Sequence, residues 1–475
     1  MTVIAESPAC PATVGDLAPV LPVVGHETLA PLVDGRRVPY ANLDVAASAP
    51  ALQAVGDRVT ATLPLYASVH RGAGYLSQVS TTLYEQSRAT IGAFVGARDD
   101  DVTLLVRNTT DALNLLAGCV PASDDGTPGR VLVLDVEHHA NFLPWQRSAD
   151  ATVLTGRDTV AATVAAIRDE LAAAHAAGRG YALLAVTGAS NVTGETVPVD
   201  DVVAAAHAHG ARVLLDGAQL VPHRRFSLAA TGVDYLAFSG HKTYAPFGVG
   251  VLVGRRDWLD AGTPYLAGGG AVRSVRVAET EWHDGPARHE AGSPNVLGAV
   301  ALAAACDELA ALDAANLREH EDALRARLVD GLEAIDGVEV VRLWSDAPDT
   351  VGVVTFTVAG YEPGQVAAYL SAEHGIGVRD GRFCAHPLLS RLGYGAGAVR
   401  SSVGVGTAGE EVERLVAAVA ALVADGPQAR YDVVDGLWIV VDDPRPVPEG
   451  SGLTGLLATA GPGQDEAFGC LPEDA

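Results

Sequence analysis

The amino-acid sequence predicts an α/β fold, in which a large, doubly wound and mostly parallel sheet domain is followed by a smaller α+β domain. Three observations lead to this prediction. Short β-branched runs alternate with longer Ala-rich stretches between about residues 102 and 253, as they do in parallel sheets with helical crossovers. A second series of helices and strands follows from about residue 316. The 475 residues, 48% of them apolar, are enough to bury two cores.

The predicted elements follow this alternation in chain order. The strands of the large domain are expected at residues 102–106, 131–136, 183–187, 213–216, 235–239 and 250–253. Its helices are expected at residues 111–119, 160–177, 199–209 and 296–312. In the second unit, helices are expected at 316–335, 363–374 and 410–424, and strands at 338–343 and 352–358.

Four segments are expected along the chain. Residues 1–40 are Pro-rich and form a lead-in that is expected to pack on the small domain. Residues 41–305 form the large domain and residues 306–427 the small one. Residues 428–475 form a partly loose extension, in which 431–441 could make an extra strand and the acidic end stays unpacked.

Composition and charge exclude several classes of protein. The 32 basic and 58 acidic residues give a net charge of −26, which argues against nucleic acid or an anionic membrane as a partner. The five cysteines include no Cys-x-x-Cys pair, so a disulfide scaffold and a zinc ribbon are not expected. The first 25 residues make a poor secretory signal, and no apolar run approaches the length of a membrane span. We therefore expect a cytoplasmic protein.

The chain contains 31 arginines and a single lysine, Lys242. In a sequence that uses arginine almost everywhere else, the remaining lysine is expected to do something that arginine cannot. Arginine stays protonated, whereas lysine can lose its proton and attack a carbonyl group. Chance survival of a surface lysine is the alternative.

Polar residues follow several of the predicted strands, at the edge of the sheet where ligands bind. Asp216 ends one strand, and Ser239, His241 and Lys242 follow the next. A further strand is followed by residues 107–111, whose hydroxyl and backbone N–H groups suit a phosphate at a helix start. A lysine for an imine, a carboxylate for a pyridinium nitrogen and a helix start for a phosphate are what pyridoxal phosphate (PLP) requires.

The sequence resembles the class V aminotransferase family of fold-type I PLP enzymes, and within it the group II cysteine desulfurases and selenocysteine lyases. Two of the segments that carry the resemblance are Asp216-Gly-Ala-Gln219 and Ser239-Gly-His241-Lys242. Eleven segments occur in family order, at residues 43–49, 69–72, 107–114, 137–145, 190–194, 216–219, 239–242, 268–270, 290–295, 379–387 and 400–402. The resemblance implies a fold-type I PLP-dependent transferase fold and a homodimer whose sites are completed across the subunits.

The resemblance also implies a role for individual residues. Lys242 would carry the cofactor as a Schiff base, Asp216 would hold the ring nitrogen protonated, and His138 would stack on the ring. The remaining residues bind the cofactor or the substrate. The cofactor set is Asn191 and Gln219 near the phenolate oxygen, and Thr110, Ser239, His241 and a second subunit's Ser293 at the phosphate. The substrate set is Arg400 and Arg379 for the carboxylate and His70 on a loop of the side-chain pocket.

Cys384 decides the expected reaction. It lies five residues after Arg379, in a segment that resembles the short active-site loop of the group II desulfurases. Its thiolate would take sulfur from L-cysteine as a persulfide and leave alanine, and a sulfur-acceptor protein is a possible partner. The histidine that often precedes this cysteine in the desulfurases is Phe383 here. A class V aminotransferase, epimerase or C–S lyase is therefore the alternative, followed by a protein that keeps the fold without catalysis.

Two patterns suggest other ligands, a metal ion and a dinucleotide. His207 and His209 lie two residues apart on a predicted helix and do not share a face, so no metal site is expected. Residues 404–409 match the dinucleotide pattern G-x-G-x-x-G, but Thr407 and Glu410 suggest a capping box that explains the turn without a ligand.

Overall fold

The structure is a computed structural model that describes residues 17–70, 72–123 and 126–453. The strands are β1 (Leu29–Pro31), β2 (Arg37–Pro39), β3 (Ala41–Asn42), β4 (Asp101–Val106), β5 (Arg130–Leu134), β6 (Asp150–Leu154), β7 (Leu183–Thr187), β8 (Arg212–Asp216), β9 (Tyr235–Ser239), β10 (Gly250–Arg255), β11 (Val272–Arg276), β12 (Glu279–Trp282), β13 (Val338–Val340), β14 (Val353–Val358), β15 (Ile376–Gly377), β16 (Arg379–Gly381), β17 (Ala398–Ser402), β18 (Tyr431–Val434) and β19 (Leu437–Val440). The helices are α1 (Gln53–Thr62), α2 (Tyr75–Phe94), α3 (Thr109–Ala117), α4 (Leu143–Ser148), α5 (Val160–Ala176), α6 (Val199–His207), α7 (Leu228–Thr231), α8 (Arg256–Ala261), α9 (Pro286–His289), α10 (Val296–Ala311), α11 (Ala314–Glu333), α12 (Pro363–His374), α13 (His386–Arg391) and α14 (Gly409–Asp425).

A seven-stranded sheet forms the centre of the molecule, in the order β4-β10-β9-β8-β7-β5-β6. Strands β5 to β9 pair in parallel, whereas β10 runs antiparallel to both of its neighbours, β4 and β9. The predicted large, mostly parallel sheet is thus confirmed. Because β7, β8 and β9 run in the same direction, their carboxyl ends at Thr187, Asp216 and Ser239 meet at one edge.

Helices cover both faces of this sheet, which makes it doubly wound. Alternate residues of β5 face opposite sides: Leu132 and Leu134 pack with α1, α2, α5, α6 and α10, while Val131 and Val133 pack with α3, α4 and α8. Each β5 side chain here is almost fully buried. Strands covered on both faces are expected to be continuously apolar, as these are.

A smaller four-stranded antiparallel sheet, in the order β13-β14-β17-β16, forms a second core with α11, α12 and α14. The N-terminal segment joins this part of the molecule, because β3 pairs in parallel with β15 and the Val20 and Leu21 N–H groups donate to the Val405 carbonyl. The boundaries of the four predicted segments stay a prediction. The loose tail was expected from residue 444, and residues 444–453 contain no helix or strand. The first 16 residues of the lead-in and residues 454–475 of the tail lie outside the described residues.

Two helices begin two residues before their predicted starts because their caps were not recognised. Asn108 accepts a hydrogen bond from the Asp111 N–H and starts α3, so Thr110 is the second residue of the helix. Asp313 accepts from the Ala315 and Asn316 N–H groups and starts α11. Such side-chain acceptors satisfy N–H groups that have no partner within the helix.

Other elements were not predicted or were predicted wrongly. The edge strand β6, the small-domain strand β16, and helices α1 and α2 were not predicted. Residues 431–441 do not form a single strand, as had been considered, but a hairpin of β18 and β19. Its turn, Asp435-Gly436, has positive φ at both residues. Asp-Gly is a strong sequence signal for this kind of turn. Within the described residues, no helix combines the length and apolar character needed to cross a membrane.

Packing explains the glycines of the G-x-G-x-x-G pattern. A Cβ on Gly404 would lie 2.2 Å from the Tyr244 hydroxyl oxygen, and one on Gly406 would lie 2.6 Å from a Val23 methyl group. The expected capping box is shifted by one residue: Glu411 accepts from the Ala408 N–H at 2.8 Å, and the Thr407 hydroxyl accepts from the Gly404 N–H. These glycines therefore make room for side chains of the same chain.

We expect Gly404→Ala to lower the free energy of unfolding by about 2 kcal/mol, because the added methyl group overlaps the buried Tyr244 hydroxyl. Urea denaturation measures the change. Gly395→Ala is the control, since nothing lies within 4 Å of a Cβ at that position. Equal stability of the two variants would contradict the packing explanation.

Candidate active site

A cavity of about 780 Å³ opens at the carboxyl edge of the large sheet, where residues of both domains line it. Most of the sequence-predicted site residues line this cavity: Thr110, His138, Asn191, Asp216, Gln219, Ser239, His241, Lys242, Arg379, Cys384 and Arg400. The fold therefore brings together residues that lie up to 290 positions apart in the chain, from Thr110 to Arg400.

His70 and Ser293 do not line the cavity of their own chain. The His70 Nε2 atom lies 2.8 Å from the Glu85 carboxylate, and the His70 N–H donates to the Thr81 hydroxyl. Ser293 is exposed. The structure thus does not bring His70 to the site, and the expected roles of both residues stay predictions.

Lys242 and Asp216 form the electrostatic centre of the cavity. Burial lowers the pKa of the Lys242 amine from 10.5 to about 8, although the Asp216 carboxylate acts in the opposite direction. Burial raises the pKa of Asp216, and Lys242 opposes that shift in turn. Asp216 is held at the end of β8 by the Ala218 N–H, which donates to its Oδ1 atom at 3.0 Å. The lysine is therefore easier to deprotonate than an ordinary one.

His138 lines the same cavity in an uncharged form. Its Nδ1 atom accepts a hydrogen bond from the Ala140 N–H at 3.0 Å, which leaves the proton of the neutral ring on Nε2. Burial, assisted by Lys242, lowers the pKa of His138 to about 3. The preceding residue, Glu137, fixes this segment to β7 by accepting from the Thr187 N–H. A neutral imidazole in this position can pack on a flat ring without repelling a cation.

The start of α3 is joined to the end of β9 by hydrogen bonds. The Thr109 N–H donates to the Ser239 hydroxyl oxygen at 2.8 Å, and the two hydroxyl oxygens lie 2.6 Å apart. Gly250 permits this approach, since a Cβ there would lie 2.3 Å from the Asn108 Cα atom. The helix start thus presents N–H groups and hydroxyls at the cavity, an arrangement that suits an anion. Thr109 was missed by the sequence analysis, which chose its neighbour Thr110.

His241, which follows this strand end, also lines the cavity. Burial and the neighbouring Lys242 amine lower the pKa of His241 to about 4. The imidazole is therefore neutral at physiological pH, and one of its nitrogens can donate a hydrogen bond to an anion.

Gln219 and Asn191 use their amide N–H groups within the protein. The Gln219 Nε2 atom donates to the Ala46 carbonyl at 2.8 Å, while its buried Oε1 atom has no hydrogen-bond partner. The Asn191 Nδ2 atom donates to the Phe383 carbonyl at 2.8 Å. Gln219 therefore offers an unsatisfied acceptor in a cavity, which indicates that a polar group is bound there.

Two arginines from the small-domain sheet reach the cavity and share one carboxylate. Arg400 on β17 is almost fully buried; it donates to the Asn191 carbonyl at 2.8 Å and to the Asp44 Oδ1 atom at 3.2 Å. Arg379 on β16 is half exposed, and its Nε atom lies 3.4 Å from the Asp44 Oδ2 atom. Asp44 thus orients both guanidinium groups. The sequence analysis named the segment 43–49 that contains Asp44 but gave this residue no role.

Cys384 lies on a strained turn at the cavity. The turn is closed by the Ala385 N–H, which donates to the Arg382 carbonyl, and its two central residues, Phe383 and Cys384, have φ of 50° and 52°. Positive φ at both positions is typical of a type I′ turn, which normally contains Gly, Asn or Asp. Each such residue costs on the order of 1–3 kcal/mol and persists where the surrounding contacts fix the backbone.

The surroundings of this turn are specific. The Phe383 carbonyl accepts from Asn191, and the Cys384 carbonyl accepts from the His139 N–H at 2.8 Å. The Phe383 ring also lies under the Arg400 guanidinium, at 5.2 Å from its centroid. The turn is therefore held in place from both domains, and the Cys384 side chain is exposed toward solvent.

The described residues contain no group of three or more His, Cys, Asp or Glu side chains arranged to hold a metal ion. His207 Nε2 instead lies 2.8 Å from the buried Asp234 carboxylate. This pairing gives His207 a partner within the protein.

The fold and this site together define a fold-type I PLP-dependent enzyme. The sequence family is consistent with that class, because the profile named "Aminotransferase class-V" matches residues 41–415. The chain belongs to the class V aminotransferase family.

Named relatives are similar to this chain over most of its length. A protein named cysteine desulfurase from Dickeya dadantii is 37% identical over 389 residues, which cover 80% of this chain and 91% of the relative. A probable cysteine desulfurase from Pseudomonas aeruginosa is 38% identical over 379 residues, which cover 79% of this chain and 92% of the relative.

Solved structures agree. The apo cysteine desulfurase of Thermococcus onnurineus superposes with a TM-score of 0.73 at 30% identity, covering 81% of this chain and 94% of that one. A cysteine desulfurase of Escherichia coli in its S-sulfonic acid form superposes with a TM-score of 0.70 at 31% identity. The match covers 80% of this chain and 94% of that one.

The cavity fits pyridoxal phosphate, the cofactor of this family. Lys242 is the amine that could bind its aldehyde, and Asp216 is a buried acceptor for a protonated ring nitrogen. The start of α3 with Ser239 suits the phosphate, and the buried Gln219 oxygen lacks a partner that a ligand would supply.

The lowered pKa of Lys242 predicts how fast apoprotein takes up PLP at different pH values. Only the neutral amine attacks an aldehyde, so the uptake rate should rise about tenfold per pH unit below pH 8 and level off above it. Rapid-mixing absorbance at pH 6.5–9.5 follows this uptake.

Asp216→Asn provides the matched variant. Removing the carboxylate removes the interaction that raises the Lys242 pKa, so the midpoint should move to lower pH. A rate that still rises steeply through about pH 9.5 in the native protein would show an ordinary lysine instead.

Proposed function

We propose that this protein is a PLP-dependent cysteine desulfurase, which removes sulfur from L-cysteine as a persulfide on Cys384 and releases alanine. One observation carries the proposal: Cys384 lies in the same cavity as Lys242 and Arg400. A nucleophilic thiol, a cofactor-binding amine and a carboxylate-binding guanidinium are therefore within reach of one small amino acid. The similarity to proteins named cysteine desulfurase supports the same assignment.

The arginines position the substrate. The guanidinium of Arg400 is buried, and its Nε atom has no hydrogen-bond partner, so a donor remains for a substrate carboxylate. Arg379 adds a second positive charge beside it. Planar guanidinium groups bind carboxylates with defined geometry, which fixes where the sulfur of the substrate lies.

The chemistry divides between the cofactor and the residues of the chain. Bound PLP supplies an electron sink that makes the substrate carbon–sulfur bond labile. Lys242, with a pKa of about 8, can accept a proton from the substrate carbon and return it, and neutral His138 packs beside it.

The thiolate of Cys384 attacks the substrate sulfur. A sulfur–sulfur bond forms, the carbon–sulfur bond breaks, and the electron pair of that bond returns to carbon, where a proton completes alanine.

The assembly and location of the protein are part of the proposal. We expect a homodimer, because the resemblance assigns Ser293 to the site of a second subunit, and this exposed residue lies outside the cavity of its own chain. A sulfur acceptor is needed to regenerate Cys384, and the strongly acidic, cysteine-poor composition is consistent with the cytoplasm.

Replacement of Cys384 tests the reaction. With PLP, L-cysteine and a reducing thiol, we expect the native protein to form alanine and sulfide in equal amounts without a keto acid. Cys384→Ala should lower both rates at least about 100-fold while the absorption band of bound PLP is retained.

Cys119→Ala is the matched control, because Cys119 is a buried thiol in the core between the large sheet and α3 and does not line the cavity. It should keep native rates. Undiminished sulfide release by Cys384→Ala would contradict the role of Cys384, and alanine formation that requires a keto acid would point to an aminotransferase.

Asp44 is expected to position the substrate through the two arginines. Asp44→Asn removes the charge that orients both guanidinium groups, so KM for L-cysteine should rise about tenfold while kcat changes by less than about threefold. Steady-state alanine release measures both constants. Asp34→Asn, which removes one partner of an exposed ion pair with Arg36, should leave KM unchanged. An equal effect of the two substitutions would contradict the role given to Asp44.

A further inference from the structure

The hairpin of β18 and β19 lies outside the part of the chain that matches the family. The family profile ends at residue 415, and the Dickeya dadantii relative is matched over 91% of its own length by only 80% of this chain. The hairpin begins 16 residues after the end of the profile, at Tyr431, and its two-residue turn is Asp435-Gly436. It therefore lies beyond the part of the chain that the family profile matches.

The hairpin is fixed firmly to α12. The Trp438 indole N–H donates to the Glu362 carboxylate at 2.9 Å, and its ring lies against Gly364, where a Cβ would be 2.8 Å from the ring carbon Cδ1. At the other end, Glu373 accepts hydrogen bonds from the N–H groups of Gln428 and Ala429 and from the Tyr431 hydroxyl. These contacts determine where the turn lies.

The turn reaches the active-site cavity. Gly436 and Leu437 line the cavity together with Cys384, Arg382 and Arg379. Gly436 is exposed and Leu437 is partly buried, so the turn forms part of the rim of the cavity. Its neighbour Asp435 adds an exposed carboxylate beside this rim. A molecule that approaches Cys384 from solvent on the small-domain side meets this hairpin.

We propose that Leu437 and the Asp435-Gly436 turn act as a steric filter for the thiol that takes sulfur from Cys384, and that they favour a small thiol over a thiol carried on a long peptide or a folded protein. The proposal rests on the function proposed above. A small thiol fits into the cavity past the rim, whereas a thiol on a large surface must accommodate a hairpin that is anchored at Glu362 and Glu373. A protein can select one partner over another by a steric clash with the disfavoured one, here the larger thiol.

The transfer itself is a thiol–disulfide type of exchange. The acceptor thiolate attacks the terminal sulfur of the Cys384 persulfide and forms a new sulfur–sulfur bond. The bond to Cys384 breaks, and its electron pair leaves with Cys384 as a thiolate. The sulfur atom moves without a net oxidation or reduction, so no further reagent is needed. Attack along this bond requires the acceptor sulfur to pass the rim and reach Cys384.

The test measures sulfur transfer to three thiols of increasing size: 2-mercaptoethanol, glutathione and a 15-residue peptide with one cysteine. The full-length holoenzyme is loaded with L-cysteine, and each transfer rate constant is divided by the rate of alanine formation of the same variant. For the native protein we expect this ratio to fall at least about tenfold from the smallest thiol to the peptide.

Two substitutions change the size of the rim in opposite directions. Leu437→Ala should raise the ratio for the peptide about fivefold and leave that for 2-mercaptoethanol within about twofold. Leu437→Trp should lower the ratio for glutathione and for the peptide. Val433→Ala is the matched control, since Val433 is an exposed residue of the same hairpin that does not line the cavity, and it should keep the native ratios.

The outcomes separate this inference from the proposed function. Ratios that do not depend on thiol size in the native protein, or that the Leu437 substitutions change equally for all three thiols, would overturn the filter. Absence of alanine with the native protein would overturn the proposed function itself, and the filter with it.

Discussion

The burial of the Lys242 amine close to the Asp216 carboxylate is the constraint on which the rest of the site depends. Removing both groups from water is costly, and each lowers that cost for the other by its opposite charge. The arrangement requires that β8 and β9 end side by side, which their parallel pairing provides. The anion-binding end of the same cavity depends on the contact between the start of α3 and Ser239, which Gly250 permits. The segments that hold the large domain together at this edge, the ends of β8 and β9 and the start of α3, therefore also supply the residues of the site.

The sequence predicted the parts of the site that depend on the order of strands and helices along the chain. Residues at the ends of successive parallel strands meet at one edge, so Asp216, Ser239 and Lys242 could be grouped without a structure. The sequence could not predict pairings between distant segments. Asp44 contacts Arg400, which lies 356 positions away, and only the folded chain places both beside Arg379. The residues next to Asp44 and Arg400 in the sequence contain no pattern that predicts this contact.

Backbone conformation limited the prediction at two turns for different reasons. The turn at Phe383 and Cys384 has positive φ at residues that rarely adopt it, so its shape follows from contacts with Asn191 and His139. The turn at Asp435-Gly436 carries the residues that its conformation favours, and its signal was present in the sequence. Its approach to the active site was not predictable, because that depends on how Trp438 packs on α12.

The large domain and the small domain make different contributions. The large domain carries the residues that fit PLP. The small domain carries Arg379, Cys384 and Arg400, and the extension adds Leu437 at the rim of the same cavity. One scaffold can host many reactions when the loops around its site change. In this protein, the choice of reaction and of sulfur acceptor is therefore expected to lie with the small domain and its extension.

Reductive trapping with borohydride, followed by peptide mass spectrometry, tests the central claim most directly. The chain has one lysine, so its only other amine is at the N-terminus. The account predicts one pyridoxyl group per chain, on the peptide that contains Lys242, and a large loss of this label in the Lys242→Ala variant. A label on the N-terminal peptide, or none on the Lys242 peptide of protein that retains PLP, would contradict the account.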